Sequence, residues 1–405
     1  MEQDFFPLDE ELGLLPGSFT PKLQDHLVHL SSWMPSARAA KMLEDLLGVQ
    51  ISEASVRRHT ERVGACAEAV QTEQAKAQPG FSGKTTTRLA LSADGAYVPL
   101  LKGEWAEVRT VAIGEVRSER KGSEQEVHVH HLSYFSRMID ATTFADLAEA
   151  EMRRRGVSLA KEVCAVTDGA GWLQGFFDLH RPDALRILDF PHAAEHVNLL
   201  LQALQQAGMN VPSDLLVRLL HRLKHRGPSH LIPLLTRLST SLLQQEGVSE
   251  QMGYLCKREA MMQYPAYRRQ GWPIGSGMVE SANKVVVQAR LKGAGMHWER
   301  SHVNPMLALR TAACNERWQE VWQEAVTEQK HQRKLQRLDR ATARLRPLVS
   351  SVMLSLLQFR PPTLKPAPIP RPMVPAATLP GSSRPSVHHP WKRGPACRPK
   401  PVAKI

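Results

Sequence analysis

Three acidic residues stand in settings where a carboxylate has chemistry to do. Asp94 lies in "LSADGAYVPL", Asp168 ends the apolar run in "VCAVTDGAGW", and Glu280 follows the Gly/Pro-rich turn of "GWPIGSGMVESANK". They are 74 and 112 residues apart, so only a fold that returns the chain to one place can bring them together. Carboxylates that converge without a cation repel and raise one another's pKa. Together they suit hard divalent cations such as Mg²⁺, which take oxygen ligands. Two such ions about 3.5–4 Å apart can activate the attacking oxygen and stabilise the leaving one in a phosphoryl displacement. Each residue also has an ordinary role open to it. Asp94-Gly95 suits a hairpin turn, Asp168-Gly169 a loop, and Glu280 the first turn of a helix with Ser276 as its N-cap. The "GSG" glycines can also cradle a phosphate, although they lack the spacing of a Walker loop or a dinucleotide fingerprint.

A second motif competes. "DFPHAAEH" contains His192, Glu195 and His196 in the H-x-x-E-H order of an inverted zinc protease, with both histidines one helical turn apart. That reading needs a third ligand, for which Glu259 is one candidate. The plainer alternative is a helix-capping His192 and a solvated Glu195/His196 pair. The five cysteines form no C-x-x-C pair, so neither a disulfide framework nor a zinc ribbon is signalled. Cys164, inside an apolar run, reads as a small core residue.

The elements that must position these residues follow from periodicity. "SARAAKMLEDLLGVQISEASVRRHTERVG" holds an apolar helix that Ser36 can cap, a break at Gly48, and a basic helix that Ser52 can cap, carrying Arg57, Arg58, His59 and Arg62. This describes a helix-turn-helix equally with an ordinary helical hairpin. A polar linker over 75–88 separates it from the rest. From Leu89, three alternating or apolar β-branched runs predict strands, then a helix at "TTFADLAEAEMRRRGV", a buried strand ending at Asp168, a helix, and the strand "ALRILDF". That order matches the ribonuclease H topology. A plain doubly wound sheet would alternate strand and helix from the start. Residues 193–265 show only amphipathic helices, an insertion. "MVESANKVVVQARLK" predicts one helix leading from Glu280, and 316–345 a charged helix with Trp318 and Trp322 on one face.

At 405 residues with a 42% hydrophobic fraction, the chain can fill more than one core. No run spans a bilayer and no signal peptide opens the chain, so no membrane partner and a cytoplasmic location are expected. The formal charge is +12, but the Pro-rich tail from Arg360 contributes nine basic residues and no acid, leaving +3 for the remainder. The charge suggests a polyanionic partner, and the tail composition predicts disorder.

Together "LSADGAYVPL", "VTDGAGW", "LDFPHAAEHV" and the block from "YPAYRRQGWPIGSGMVESANK" through "LKGAGMHWERSHVNPMLALRTAACNERW" closely resemble the ISKra-type insertion-sequence transposases of bacteria, within the mutator-like DDE superfamily. The resemblance covers roughly residues 7–325. It implies metal-dependent DNA cleavage and strand transfer at the element's ends, with Asp94, Asp168 and Glu280 as catalytic acids and Mg²⁺ or Mn²⁺ ligands. It implies an α/β, ribonuclease H-like domain over 89–192 and 266–325, interrupted by the insertion at 193–265. A helix-turn-helix region is expected over 1–74, and beyond the resemblance the composition gives charged helices over 326–359 and a disordered basic tail over 360–405. Asp189 and His192 match a D-x-x-H element near the site, and Trp298 is expected nearby, packed or stacked on DNA. Arg57, Arg58 and Arg62, with Lys284, Arg290 and Lys292 on the Glu280 helix, are the expected DNA contacts, and a homo-oligomer is expected in the synaptic complex. Related transposases carry a Cys-rich segment before the part matching "PLDEELGL". The chain begins almost there, which points to a truncated frame or an internal start. A catalytically silent DNA-binding remnant is therefore the alternative function, and the H-x-x-E-H protease the third.

Overall fold

A computed structural model describes residues 19–77, 86–121, 124–242 and 244–357. The expectations for the "PLDEELGL" stretch and the tail over 360–405 lie outside the described residues. Two compact units divide the chain, Met1–Ala341 and Thr342–Ile405. In the second, the described part is a helical run to Leu357.

In the first unit, β1 (Arg88–Pro99), β2 (Trp105–Lys121) and β3 (Glu124–Arg137) form an antiparallel meander. Helix α4 (Ala141–Arg154), capped by Asp140, leads to β4 (Glu162–Thr167), and α5 (Gly171–His180) leads to β5 (Leu185–Leu188). The sheet order is β3-β2-β1-β4-β5, with β4 parallel to β1 and β5 parallel to β4. This mixed five-stranded sheet follows the strand and helix order expected from the sequence. Period-two alternation sorts β1 between two cores. Leu89, Leu91 and Ala93 pack with Phe144, Met152, Phe176 and Phe177 of α4 and α5. Ala96 and Val98 face Val286, Val287, Leu291 and Leu307. Strand β4 is apolar on both faces, as a central parallel strand must be: Val163 and Ala165 join the α4/α5 core, while Cys164 and Val166 join the other side.

Between β5 and the Gly/Pro turn, the described residues form α6 (Phe190–Gln206), α7 (Leu215–Arg226), α8 (Ile232–Ser239), α9 (Glu246–Lys257) and α10 (Tyr264–Arg269), which share a core with one face of the sheet. Their leucines, including Leu200, Leu204, Leu219, Leu223 and Leu255, share a core with Cys164, Val166, Ile187 and Leu188. Then comes a helix over Gly277–Leu291, whose middle, Asn283–Gln288, is a π-helix. Its first and last stretches are α11 (Gly277–Ala282) and α12 (Ala289–Leu291). The long helices α13 (Arg300–Cys314) and α14 (Trp318–Leu357) follow.

The N-terminal helices α1 (Pro21–Trp33), α2 (Ser36–Leu47) and α3 (Glu53–Ala77) pack on α13 and α14 through Leu27, Leu43, Val63, Leu309 and Trp318. Trp318 and Trp322 stack with centroids 6.5 Å apart, as the shared helix face requires. Gly48 ends α2 at φ 65°, a left-handed C-cap that glycine takes without steric cost. Ser52 accepts a bond from Ser55 N–H at 3.2 Å at the start of α3. Ser36 does not cap α2: Pro35 holds that position and Ser36 is the first helical residue. Among the described residues, no helix is long and apolar enough to cross a membrane.

Helices α3 and α13 meet at Gly64, where a Cβ would lie 2.7 Å from the Pro305 carbonyl oxygen. Gly64→Ala should therefore force backbone apart at the crossing and lower stability by about 1–3 kcal/mol, measured as a shift in the urea midpoint. An unchanged midpoint would show that this crossing is not tight.

Candidate functional site

The parallel register of β1 and β4 pairs Leu91 with Ala165. The same offset, three residues on, sets Asp94 beside Asp168, and the Ser92 hydroxyl ties the strands by donating to the Val166 carbonyl at 2.6 Å. Asp94 sits within the continuous strand β1, not at a hairpin turn. One of its oxygens accepts Gly95 N–H at 2.7 Å and the other the Asn283 amide at 3.0 Å. Burial raises the Asp94 pKa, and the negative charge of Asp168 adds to the rise.

Asp168 follows the last residue of β4 and folds its carboxylate back to accept Ala170 N–H at 2.8 Å. The insertion grips this turn. The Tyr254 hydroxyl, on α9, donates to the Asp168 carbonyl, and Arg258 donates to the Gly169 carbonyl through Nε at 3.2 Å and Nη2 at 2.6 Å. Gly169 has φ +84°, and a Cβ there would lie 2.4 Å from Arg258 Nε, so both backbone shape and space require glycine. Burial pushes the Tyr254 phenol up to about 12, which keeps it a donor.

The buried carboxylate of Asp189, at the end of β5, is the hub of the adjoining network. It is 0% exposed. Oδ1 accepts Ser276 N–H at 3.0 Å, while Oδ2 accepts the Ser276 hydroxyl at 2.7 Å and bonds His192 Nδ1 at 2.8 Å. The bond to Asp189 raises the His192 pKa, aided by the charge of Asp168. Residues 189 and 192 are one helical turn apart at the start of α6, which is how the D-x-x-H spacing works. Ser276 holds the N-cap position of α11, but its side chain makes no cap bond. The hydroxyl lies between Asp189 and Glu280, 3.2 Å from Glu280 Oε1.

The helix bearing Glu280 has an unusual burial pattern. Met278 and Val279, Ala282 and Asn283, Val286 and Val287, and Arg290 and Leu291 are buried, a period of four. An α-helix of 3.6 residues per turn would rotate such a stripe by about 40° every four residues. The wider π turn at Asn283–Gln288 offsets that drift and keeps the stripe facing β1. Asn283, one turn after Glu280, thereby reaches Asp94.

The three acids are thus assembled in part. Asp94 and Asp168 are neighbours, whereas Glu280 is exposed and contacts Ser276. Two adjacent carboxylates, one with a raised pKa, fit a hard divalent cation by donor chemistry. Among the described residues no group of three or more His, Cys, Asp or Glu side chains is arranged to hold a metal ion. The H-x-x-E-H residues likewise turn elsewhere. His192 serves Asp189 rather than a helix cap, and His196 bonds Gln251 at 2.6 Å and stacks on Tyr254 at 3.4 Å instead of forming a solvated pair with Glu195.

Arg57, Arg58 and Arg62 are exposed on α3, and Lys284 and Lys292 are exposed on or just after the Glu280 helix. Arg290 differs from the expected surface contact. It is 5% exposed and donates through Nε to the Ser31 carbonyl, in the last turn of α1. Trp298 is half-buried at the far end of β1, donating backbone N–H to the Pro99 carbonyl and its indole N–H to the Leu291 carbonyl at 3.1 Å. Tyr254, Arg258, Ser276 and Asn283 were not legible as site residues. Only the last two lie in the quoted turn and helix, where their spacing from Glu280 is a usable signal.

Comparison with protein-family models and with curated proteins gives no match for this chain. Ser276→Ala would leave Asp189 Oδ2 one donor short. It should cost about 1.5–3 kcal/mol, the range for hydrogen bonds to a charged group, by equilibrium denaturation. Asp189→Ala, which strands every donor of the cluster, should cost more. If Ser276→Ala is neutral, the hydroxyl does not hold the turn.

Proposed function

We propose that the chain is a DDE transposase of the ISKra type, a metal-dependent nuclease and strand transferase acting on the ends of an insertion sequence. The observation that carries this reading is the nearness of Asp94, within β1, to Asp168, just past the end of the adjacent parallel strand β4, with the helix bearing Glu280 laid against Asp94 through Asn283. The sheet order β3-β2-β1-β4-β5 supports a ribonuclease H-like assignment for the catalytic part.

In this reading Asp94, Asp168 and Glu280 would hold Mg²⁺ or Mn²⁺. When bound, a pair of such ions supplies activation of the attacking oxygen and charge stabilisation of the leaving oxygen. The protein's own groups do the positioning. Tyr254 and Arg258 fix the turn that presents Asp168. Asp189 orients the His192 ring through Nδ1, leaving Nε2 to meet DNA or water beside the two aspartates. Helices α2 and α3 act as the helix-turn-helix for the terminal repeats, with Arg57, Arg58 and Arg62 on phosphates or bases, and a homo-oligomer brings two ends together.

A catalytically silent DNA-binding protein is the second reading. It is favoured by one observation, the contact of Glu280 with Ser276 in place of the aspartates. Asp168→Asn separates the two. Under the first reading, wild type nicks a terminal-repeat duplex in Mn²⁺, and the variant loses roughly three orders of magnitude or more of rate while retaining DNA binding. Wild type without nicking, or a variant that nicks as fast, sinks the catalytic reading. A second measurement needs no activity. Mn²⁺ at 100 times its dissociation constant should stabilise wild type by about 2.7 kcal/mol, seen as a raised melting temperature that Asp168→Asn lacks.

A further inference from the structure

Away from the acids, a cavity of about 480 Å³ opens between the start of α2, the first turns of α3 and the segment from Met296 to Met306. Its size is that of small-molecule sites, roughly 300–1,000 Å³. Leu101, Met296, Trp298 and Met306 give it apolar walls, and Arg57, Arg58 and Arg290 line it with cations. Two acids also line it. Glu61 is engaged by His302 at 3.2 Å and by Arg57 at 3.9 Å, and Glu299 is exposed at the start of α13.

Arg290 is the distinctive member. The residue is 5% exposed, yet among the described residues no carboxylate pairs with its guanidinium. Its one side-chain hydrogen bond runs from Nε to the Ser31 carbonyl at 2.9 Å, and its other partner is the Trp298 ring, 5.0 Å from the guanidinium carbon. Burial lowers its pKa to about 10, and the neighbouring buried Arg310 pushes in the same direction. It is therefore charged at neutral pH. A buried cation without a counter-charge is costly, and an anion entering the cavity would relieve that cost. The planar fork of arginine suits phosphate oxygens, and an apolar wall that includes the Trp298 ring suits a base.

We propose that this cavity binds one nucleotide, its phosphate on Arg290 and the Arg57/Arg58 rim and its base against Leu101, Met296, Trp298 and Met306. The inference deepens the transposase reading and rests on it for the source of the nucleotide alone. In that setting the occupant is an unpaired nucleotide of bound DNA, and otherwise it is a free nucleotide.

Calorimetric titration of the full chain with dAMP, deoxyadenosine and inorganic phosphate tests it. dAMP should bind about tenfold or more tighter than either half alone, because only the whole nucleotide meets both the cations and the apolar wall. Arg58 is exposed and its one side-chain bond is to Ser55, so Arg58→Gln should keep the fold and weaken dAMP by about three- to tenfold. Arg290→Met should weaken it by about tenfold or more, with circular dichroism checking the fold because Arg290 also caps α1. Displacement of dAMP by a duplex with one unpaired adenosine, and not by the fully paired duplex, assigns the site to DNA. Displacement by neither assigns it to a free nucleotide. No binding of millimolar dAMP, or unchanged affinity in both folded variants, overturns the proposal. The nicking assay can fail while dAMP binds, and nicking can persist without dAMP binding, so the two readings fall separately.

Discussion

A carboxylate removed from water costs several kcal/mol unless its lone pairs are met by donors. At Asp189 that requirement governs the architecture around it. The donors come from the first turn of α6 and from the turn that ends the insertion, and Asp189 N–H itself donates to the Thr167 carbonyl at 2.7 Å, joining the ends of β4 and β5. The insertion thus leaves and re-enters the sheet at one residue, and the Phe190 N–H to Ile274 carbonyl bond at 2.9 Å closes it. Loop-closure entropy rises only slowly with length, so a well-satisfied clasp can hold a long helical excursion. The Gly/Pro turn of "GWPIGSG" belongs to this clasp, which explains why backbone tightens just ahead of Glu280.

The insertion is also structural support for the site. Tyr254 and Arg258 reach back from α9 to the carbonyls of the Asp168–Gly169 turn, and His196, Tyr254 and Arg258 stack in series. The loop that presents Asp168 is consequently held from the sheet side by β4 and from the outside by a helix far along the chain.

Much of this frame was legible in the sequence, for physical reasons. Alternation marked β1, and an unbroken apolar run marked β4 as buried on both faces. Asp94 and Asp168 could be picked by their places within and just after such strands, and Asp189 and His192 by the D-x-x-H element, but the bond between Asp189 and His192 was not among the expectations. What stayed hidden depends on contacts between distant segments. Nothing in "GYLCKR" says that Tyr254 and Arg258 meet Gly169. The Glu280 stretch predicts one helix, but only the recurrence of its buried pairs every four residues, seen in the structure, accounts for the π turn. The same stripe includes Arg290, an expected DNA contact whose burial beside the Ser31 carbonyl its basic character does not foretell. Ser276 was expected to cap, but the deeper demand of Asp189 takes its hydroxyl.

The π turn leaves carbonyls that an ordinary α-helix would satisfy internally, and Arg310 of α13 meets those of Val285 and Val286. Arg310 also donates to the Ser32 carbonyl at 3.0 Å, beside the Ser31 carbonyl held by Arg290. The C-terminal end of α1 is therefore bolted to the same rod whose other end carries Glu280, roughly 15 Å away at 1.5 Å per residue. The rod is thus anchored at both ends, by Arg290 and Arg310 on the last turn of α1 and by Ser276 on Asp189 and Asn283 on Asp94, so the amino-terminal bundle and the sheet share one rigid strut.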